Sequence, residues 1–344
     1  VGADAVSGVL VQVVPGLEPT GGVASHARTL ARALEREASM ASQLLAAPGD
    51  RGGDAAKRLL DQLAAADGAP VLVHYSNYGY DRRGCPRWLI AGLARWRALR
   101  PGSRLVTVFH EVYATGWPWQ SSFWLSLVQR RLAARLHRLS DRALTSLHRY
   151  GEMLRAWDDR PVVTLPVFST VGEPPSPPPL ATRRRRLVVF GSAGLRRRAY
   201  AESARELGCA GAALAVEEIV DVGPGMVAPP AIDQLPVRAM GEQPAEMVSA
   251  LLADSVGGML CYPESLVAKS TVFAAYAAHR LVPVCVWPEA KRGERRAHGG
   301  DRAALWNPRR APADSWQAIA DAAYGWYQGH SLATHAALYA ELLR

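Results

Sequence analysis

A two-beat rhythm constrains this chain more than any other feature. Short runs rich in β-branched residues recur, each followed by a longer stretch whose apolar positions fall three and four residues apart. The runs VLVQVV (9–14), VLVHYS (71–76), RLVTVF (104–109), RALTS (142–146) and VVTLPV (162–167) have the length and flanking turn residues of buried strands. Between them, residues 23–37, 54–66, 86–99 and 121–139 carry the one-sided spacing of helices that cover a parallel sheet. EPPSPPPL (173–180) can continue neither pattern, because its prolines remove backbone donors and favour extended chain. It reads as a linker, and the run Arg183–Arg186 reads as the linker's solvated end. The rhythm then restarts with RLVVFG (186–191), EEIVDVG (217–223), VGGMLCY (256–262) and LVPVCVW (281–287), with helices near 195–207, 244–254 and 270–280. The expectation is an α/β chain of two Rossmann-like domains with parallel sheets facing a central cleft. Residues 1–168 form the first domain, 169–185 the linker and 186–344 the second, whose last helix can pack back on the first.

Composition narrows the partners. No apolar stretch reaches the roughly 18 to 20 residues a membrane-spanning helix needs, and the opening residues lack signal-peptide character, so a cytoplasmic, soluble chain is expected. Cys85, Cys209, Cys261 and Cys285 lack CxxC spacing, which predicts neither a zinc site nor a disulfide framework. The excess of 40 Lys and Arg over 31 Asp and Glu, a formal +9, favours anionic partners such as nucleotides. A nucleic-acid-binding function is the remote alternative, since no recognisable nucleic-acid module is present.

Ligands of open parallel sheets sit beyond the carboxyl ends of the strands, so the loops there carry the chemistry. In PGLEPTGGVASHARTLARAL (15–34), Gly21 and Gly22 precede a helix whose free N–H groups favour a phosphate. In CYPESLVAKSTVFAAYAAH (261–279), one of only three lysines, Lys269, stands at a helix start, where the dipole disfavours a cation unless an anion is also there. A diphosphate held by Lys269, the Ser270 and Thr271 hydroxyls and the helix-start N–H groups would account for that placement.

PTGGVASHARTLARAL resembles the GG-x-x-x-H start, and GEQPAEMVSALLADSVGGMLCYPES with VFAAYAAHRLVPV resembles the later signature, of the large GT-B glycosyltransferase family of retaining sugar-nucleotide transferases. The resemblance spans most of the chain. It implies a nucleoside-diphosphate sugar bound mainly by the C-terminal domain, with a glycan, lipid-linked or small-molecule acceptor on the N-terminal one. It makes Gly21 and Gly22 the loop near the donor phosphates, His110 the histidine facing the donor sugar, and Glu264 the first glutamate of a Glu-x7-Glu pattern. Val272 stands where the second glutamate belongs. The family's Arg and Lys after the first C-terminal strand are also altered, Ser192 lying near the arginine position and Arg196 or Arg197 near the lysine one. These departures motivate a second reading, a nucleotide-sugar-binding or scaffolding relative without turnover.

When a sugar leaves a diphosphate, negative charge grows on the phosphate oxygen, and Lys269, Arg196 and the helix start could meet it without a metal or cofactor. No Asp-x-Asp triplet is present. His110 and Glu111 are the candidate catalytic pair, at a strand end where an imidazole can donate to a sugar hydroxyl or move a proton. Tyr113, Trp117 and Trp119 are candidate acceptor contacts, whereas Phe123 and Trp124 begin a helix and are expected to be buried. Arg130, Arg131, Arg135 and Arg138 on that helix read as a solvated basic face, with peripheral contact to an anionic inner membrane face as the alternative.

Overall fold

A computed structural model describes residues 9–18, 21–48, 54–66, 68–114, 121–287, 305–309 and 314–344. Two compact units emerge, one of residues up to Pro166 with Ala333–Arg344, the other Val167–Leu332.

In the first unit, β1 (Leu10–Val14), β2 (Ser42–Ala46), β3 (Val71–Tyr75), β4 (Leu105–Phe109), β5 (Arg142–Thr145) and β6 (Val162–Thr164) form one sheet in the order β2-β1-β3-β4-β5-β6. Every pairing in it is parallel. The helices are α1 (Gly22–Ala38), α2 (Ala55–Ala64), the single turn α3 (Asn77–Tyr80), α4 (Arg87–Leu99), α5 (Ser121–Leu139) and α6 (His148–Arg155). β1, β3 and β4 are buried along their whole length, as strands covered on both faces must be. β2 carries one exposed and four half-buried residues at the sheet edge, so its sequence SQLLA lacks the apolar run that marks the others.

The second unit holds β7 (Arg184–Phe190), α7 (Ala193–Glu202), α8 (Ala204–Ala213), β8 (Glu218–Val222), β9 (Ala231–Ile232), β10 (Leu235–Gly241), α9 (Ala245–Ala253), β11 (Ser255–Cys261), α10 (Thr271–Ala278), β12 (Val282–Val286) and α11 (Trp316–Gln328). Its sheet runs β12-β11-β7-β8-β10-β9, with only the short β9–β10 pair antiparallel. α12 (Leu332–Leu343) belongs almost wholly to the first unit. The helix expected over 195–207 is two helices broken at Ser203.

The proline-rich stretch is not a solvated linker. Glu173 accepts hydrogen bonds from the Tyr327 hydroxyl and from Leu332 N (2.7 Å), Leu180 N donates to Gln317 Oε1 at 2.8 Å, and the segment is thereby fastened to α11 within the second unit. The arginine run likewise begins a strand. Arg183 is buried and donates to the carbonyls of Ser255 (3.1 Å) and His279 (2.9 Å), Arg186 is buried against Asp254, and only Arg184 and Arg185 face solvent. Sequence alone could not separate four adjacent like charges into buried and exposed ones. Among the described residues no helix is long and apolar enough to cross a membrane. Cys261 and Cys285 are buried and all four cysteines are free thiols.

Candidate functional site

Strand order locates the ligand-binding end of each sheet. In the second unit the chain winds outward from β7 in both directions, to β8 and β10 on one side and to β11 and β12 on the other, so the order reverses between β7 and β11. In open α/β sheets the crevice for a ligand opens at the carboxyl ends of such a pair. After β7 come Gly191 and Ser192; after β11 comes a 3-10 turn, Glu264–Lys269, leading into α10.

Packing fixes these two loops against each other. α10 is apolar on every side and all its residues after Thr271 are buried. The Tyr276 ring lies over Gly258, where a Cβ would approach it to 2.5 Å. Its hydroxyl sits 3.1 Å from both the Val188 and Met259 carbonyls and accepts from Phe190 N at 3.2 Å. That tyrosine explains the second glycine of VGGMLCY and pins α10 to the end of β7, whereas a Cβ on the first, Gly257, would meet Leu214 at 2.9 Å and Leu187 at 3.0 Å. Gly191 has φ +128, and a Cβ there would come within 3.1 Å of Val272 Cγ2. The side chain standing in place of the family's second glutamate therefore packs against the β7 loop as core.

Ser270 is buried and caps α10, its Oγ accepting from Phe273 N at 3.2 Å; Ser192 is exposed and caps α7, accepting from Leu195 N at 3.4 Å. Both serine hydroxyls among the three expected on the donor are thus engaged by their own helices. Lys269 and Thr271 are half-buried, and Glu264 accepts from Asn307 Nδ2 at 3.3 Å.

Arg196 departs furthest from the expectation. It is fully buried, ion-paired with Asp221, and donates to the carbonyls of Gly191 (3.0 Å), Gly225 (3.1 Å) and Pro224. Asp221 also accepts from the Tyr200 hydroxyl at 2.8 Å, so the guanidinium braces the loops after β7 and β8 from inside and offers nothing to a ligand. Gly223 (φ +145) leaves room for this, because a Cβ there would strike Gly191 O at 2.2 Å and Arg196 Nε at 2.7 Å. Arg197, about 100° further round α7, is exposed.

In the first unit the strand order reverses between β1 and β3. Gly21 is the N-cap of α1 and provides no side-chain cap, and the first turn holds no acidic residue. Gly22 has ordinary φ and a Cβ on it would meet no atom within 4 Å, so neither backbone strain nor internal packing calls for glycine there. The uncapped N–H groups of α1 suit an anion.

Beside that helix start lies a group of histidines of which sequence reading gave a role to His110 alone. Gln12 on β1 pairs with Leu72 on β3, and His74 follows two residues later on the same face; His74 pairs with Val108 on β4, and His110 follows two residues beyond it. The period of two thus sets Gln12, His74 and His110 on one diagonal of one face, and His26 of α1 and His335 of α12 join them. Burial holds the His26 and His74 imidazoles well below the usual histidine range, with neighbouring histidines, His110 foremost, adding to the effect. Burial also lowers His335 to about 4, partly opposed by its hydrogen bond to the Pro166 carbonyl at 2.8 Å. Among the described residues, the nitrogens of His26, His74 and His110 are the group with metal-ligand spacing, all within 4.8 Å of one another. The available signal was a polar residue in the middle of each of two apolar strands, VLVQVV and VLVHYS.

Glu111 is half-buried and accepts from Ser76 Oγ at 3.4 Å. Tyr113 is half-buried against the core of the first unit, 6.1 Å from the Trp157 ring. Trp117 and Trp119 lie outside the described residues. Phe123 and Trp124 are exposed (38% and 68%), contrary to expectation, because the face of α5 turned inward is the one bearing Gln129, Ala133, Leu136 and His137. Arg130, Arg131, Arg135 and Arg138 are exposed on the same helix.

No family model matches the chain, and no curated protein matches it. Solved structures do. An α-glucosyltransferase in complex with UDP-glucose and DNA containing an abasic site aligns over 98% of this chain and 99% of its own, with TM-score 0.58 and 10% identity. The N-terminal domain of trehalose-6-phosphate phosphatase from Candida albicans aligns over 99% and 98%, with TM-score 0.54 and 9% identity. The chain has the GT-B glycosyltransferase-like fold of two Rossmann-like units. At such identity the likeness establishes fold, and activity has to be argued from the residues.

Proposed function

We propose that this protein transfers a sugar from a nucleoside-diphosphate sugar to a hydroxyl acceptor. The observation carrying the reading is the β7/β11 switch point, where a half-buried lysine ends the turn that opens into α10. The fold it shares with a UDP-glucose-bound glucosyltransferase supports the same reading.

In the proposed reaction the bond between the sugar's anomeric carbon and the diphosphate oxygen breaks, and the electron pair leaves with the diphosphate. A bond forms from that carbon to the acceptor oxygen, whose proton must be removed. The Lys269 ammonium and the N–H groups at the start of α10 would stabilise the departing diphosphate, because fixed donors need no reorganisation as charge develops. Arg197, rather than Arg196, is the α7 cation available to it. Glu264 would accept from sugar hydroxyls, and the uncapped start of α1 at Gly21 and Gly22 would serve the phosphates. His110 and Glu111 would serve the reacting hydroxyl, and Tyr113 an acceptor of glycan, lipid-linked or small-molecule type. Polysaccharide or natural-product glycoside assembly is the setting such acceptors imply.

Thermal denaturation of the purified protein with a panel of sugar nucleotides tests this reading. A donor at about 100 times its dissociation constant adds about 2.7 kcal/mol of stability. Stabilisation by one donor, followed by release of its nucleotide when an acceptor is added, is the expected result. No response to any donor argues against the reading, and stabilisation without nucleotide release across many acceptors identifies a binding protein without turnover.

A further inference from the structure

The buried histidines of the first unit do more than fill space. His74 Nε2 lies 2.8 Å from Gln12 Oε1, and His74 Nδ1 lies 3.2 Å from His110 Nε2. An amide oxygen can only accept, so His74 carries its proton on Nε2. Neutral imidazole has one N–H, which leaves His74 Nδ1 as a lone pair and requires the proton between the two rings to come from His110 Nε2.

Ring geometry separates this arrangement from a metal centre. The His74 and His110 rings are within 18° of coplanar orientation, with centroids 5.5 Å apart against a nitrogen separation of 3.2 Å. The difference is about two imidazole radii, so each nitrogen points along the line to the other, as in a hydrogen bond. Two nitrogens sharing a tetrahedral metal, each at about 2.0–2.1 Å, would instead aim at a point off that line.

We propose that Gln12 and His74 are positioning residues which fix His110 as the tautomer protonated on Nε2, so that the nitrogen able to take a proton is Nδ1. Resting on the reading that His110 serves the reacting hydroxyl, this assigns His110 an accepting role. A proton leaving that oxygen goes to Nδ1, and the resulting imidazolium keeps its Nε2–H on His74. Donation from a neutral His110 to a sugar hydroxyl is excluded by the same chain. The burial that keeps His74 neutral keeps Nδ1 of His74 available as the acceptor.

Side-chain nitrogen resonances of histidine-labelled protein, recorded without any substrate, test the tautomers independently of sugar transfer. His110→Gln assigns the His110 signals. The wild-type protein is expected to hold both His74 and His110 as Nε2–H tautomers, with a scalar coupling across the hydrogen bond from His110 Nε2 to His74 Nδ1. Gln12→Met removes the acceptor, and both rings are then expected to move together to the Nδ1–H form. A wild-type His110 protonated on Nδ1 overturns the proposal, and needs no variant to fold. So do tautomers that ignore Gln12→Met. One equivalent of zinc displacing the shared proton also overturns it, making His26, His74 and His110 a metal centre.

Discussion

Acidification should unfold this protein from its buried histidines. Burial holds His335 and His279 near about 4 in the folded chain, against about 6.5 in the unfolded one. Below that unfolded value the denatured chain binds protons that the native chain refuses, so stability is full above about pH 6.5 and falls steadily as pH drops toward about 4. Integrating from pH 7.5 to pH 5 gives a loss of about 2 kcal/mol for each imidazole, about 4 kcal/mol for the two. His26 and His74 shift in the same direction and add to the loss. Urea denaturation followed by circular dichroism at pH 7.5, 6.5, 5.5 and 5.0 measures it. His279 is held by Ser249 Oγ (2.7 Å) and the Ala275 carbonyl (2.8 Å), and His279→Gln supplies polar atoms there without a titrating group. The variant's pH slope near pH 5.5 should be smaller by about 1.2 kcal/mol per pH unit. If the two units unfold in separate transitions, only that of Val167–Leu332 should change. Stability that is level from pH 7.5 to 5.0, or a slope untouched by the substitution, refutes the argument.

Three further outcomes follow from the described geometry. Arg196→Ala strands Asp221 in the interior and should cost about 3–5 kcal/mol in denaturant titrations, whereas Arg197→Ala should leave stability within about 0.5 kcal/mol and weaken donor binding. A Cβ at Gly22 meets no atom within 4 Å, so Gly22→Ala should keep the melting temperature while sugar-nucleotide affinity falls; an unchanged affinity removes the α1 start from the site. The formal charge of +9 calls for a retention assay on immobilised DNA, in which only weak binding, lost by moderate salt, is expected. Tight binding that resists salt would favour a nucleic-acid acceptor.

Much of the fold was legible because burial on both faces forces apolar runs, and β1, β3, β4, β8, β11 and β12 all meet that condition closely. β2 and β10 are half-exposed, so their sequences carry polar residues and blend into loops. The loops that bear the candidate site could be named from Gly21, His110 and Lys269, because topology dictates which strand ends carry ligands. Which side chains face outward there could not. Arg196 and Arg197 are neighbours in sequence and 100° apart on α7, and only packing decides that the first braces Asp221. Ser192 and Ser270 illustrate a second ambiguity, since a serine before a helix reads equally as a cap or as a ligand, and here both cap. Gln12 and His74 were hidden for the opposite reason. Each is a lone polar residue in an apolar strand, and their meeting depends on the register of β1 with β3.

Calorimetric titration of uridine diphosphate into the wild-type protein and Lys269→Ala, at one ionic strength, tests the central claim most directly. A charge-assisted contact to the diphosphate is worth about 1.5–3 kcal/mol, so the variant should bind about 10- to 150-fold more weakly while its melting temperature stays put. Equal affinity in the two proteins would contradict the account, because the lysine that opens α10 would then hold no phosphate.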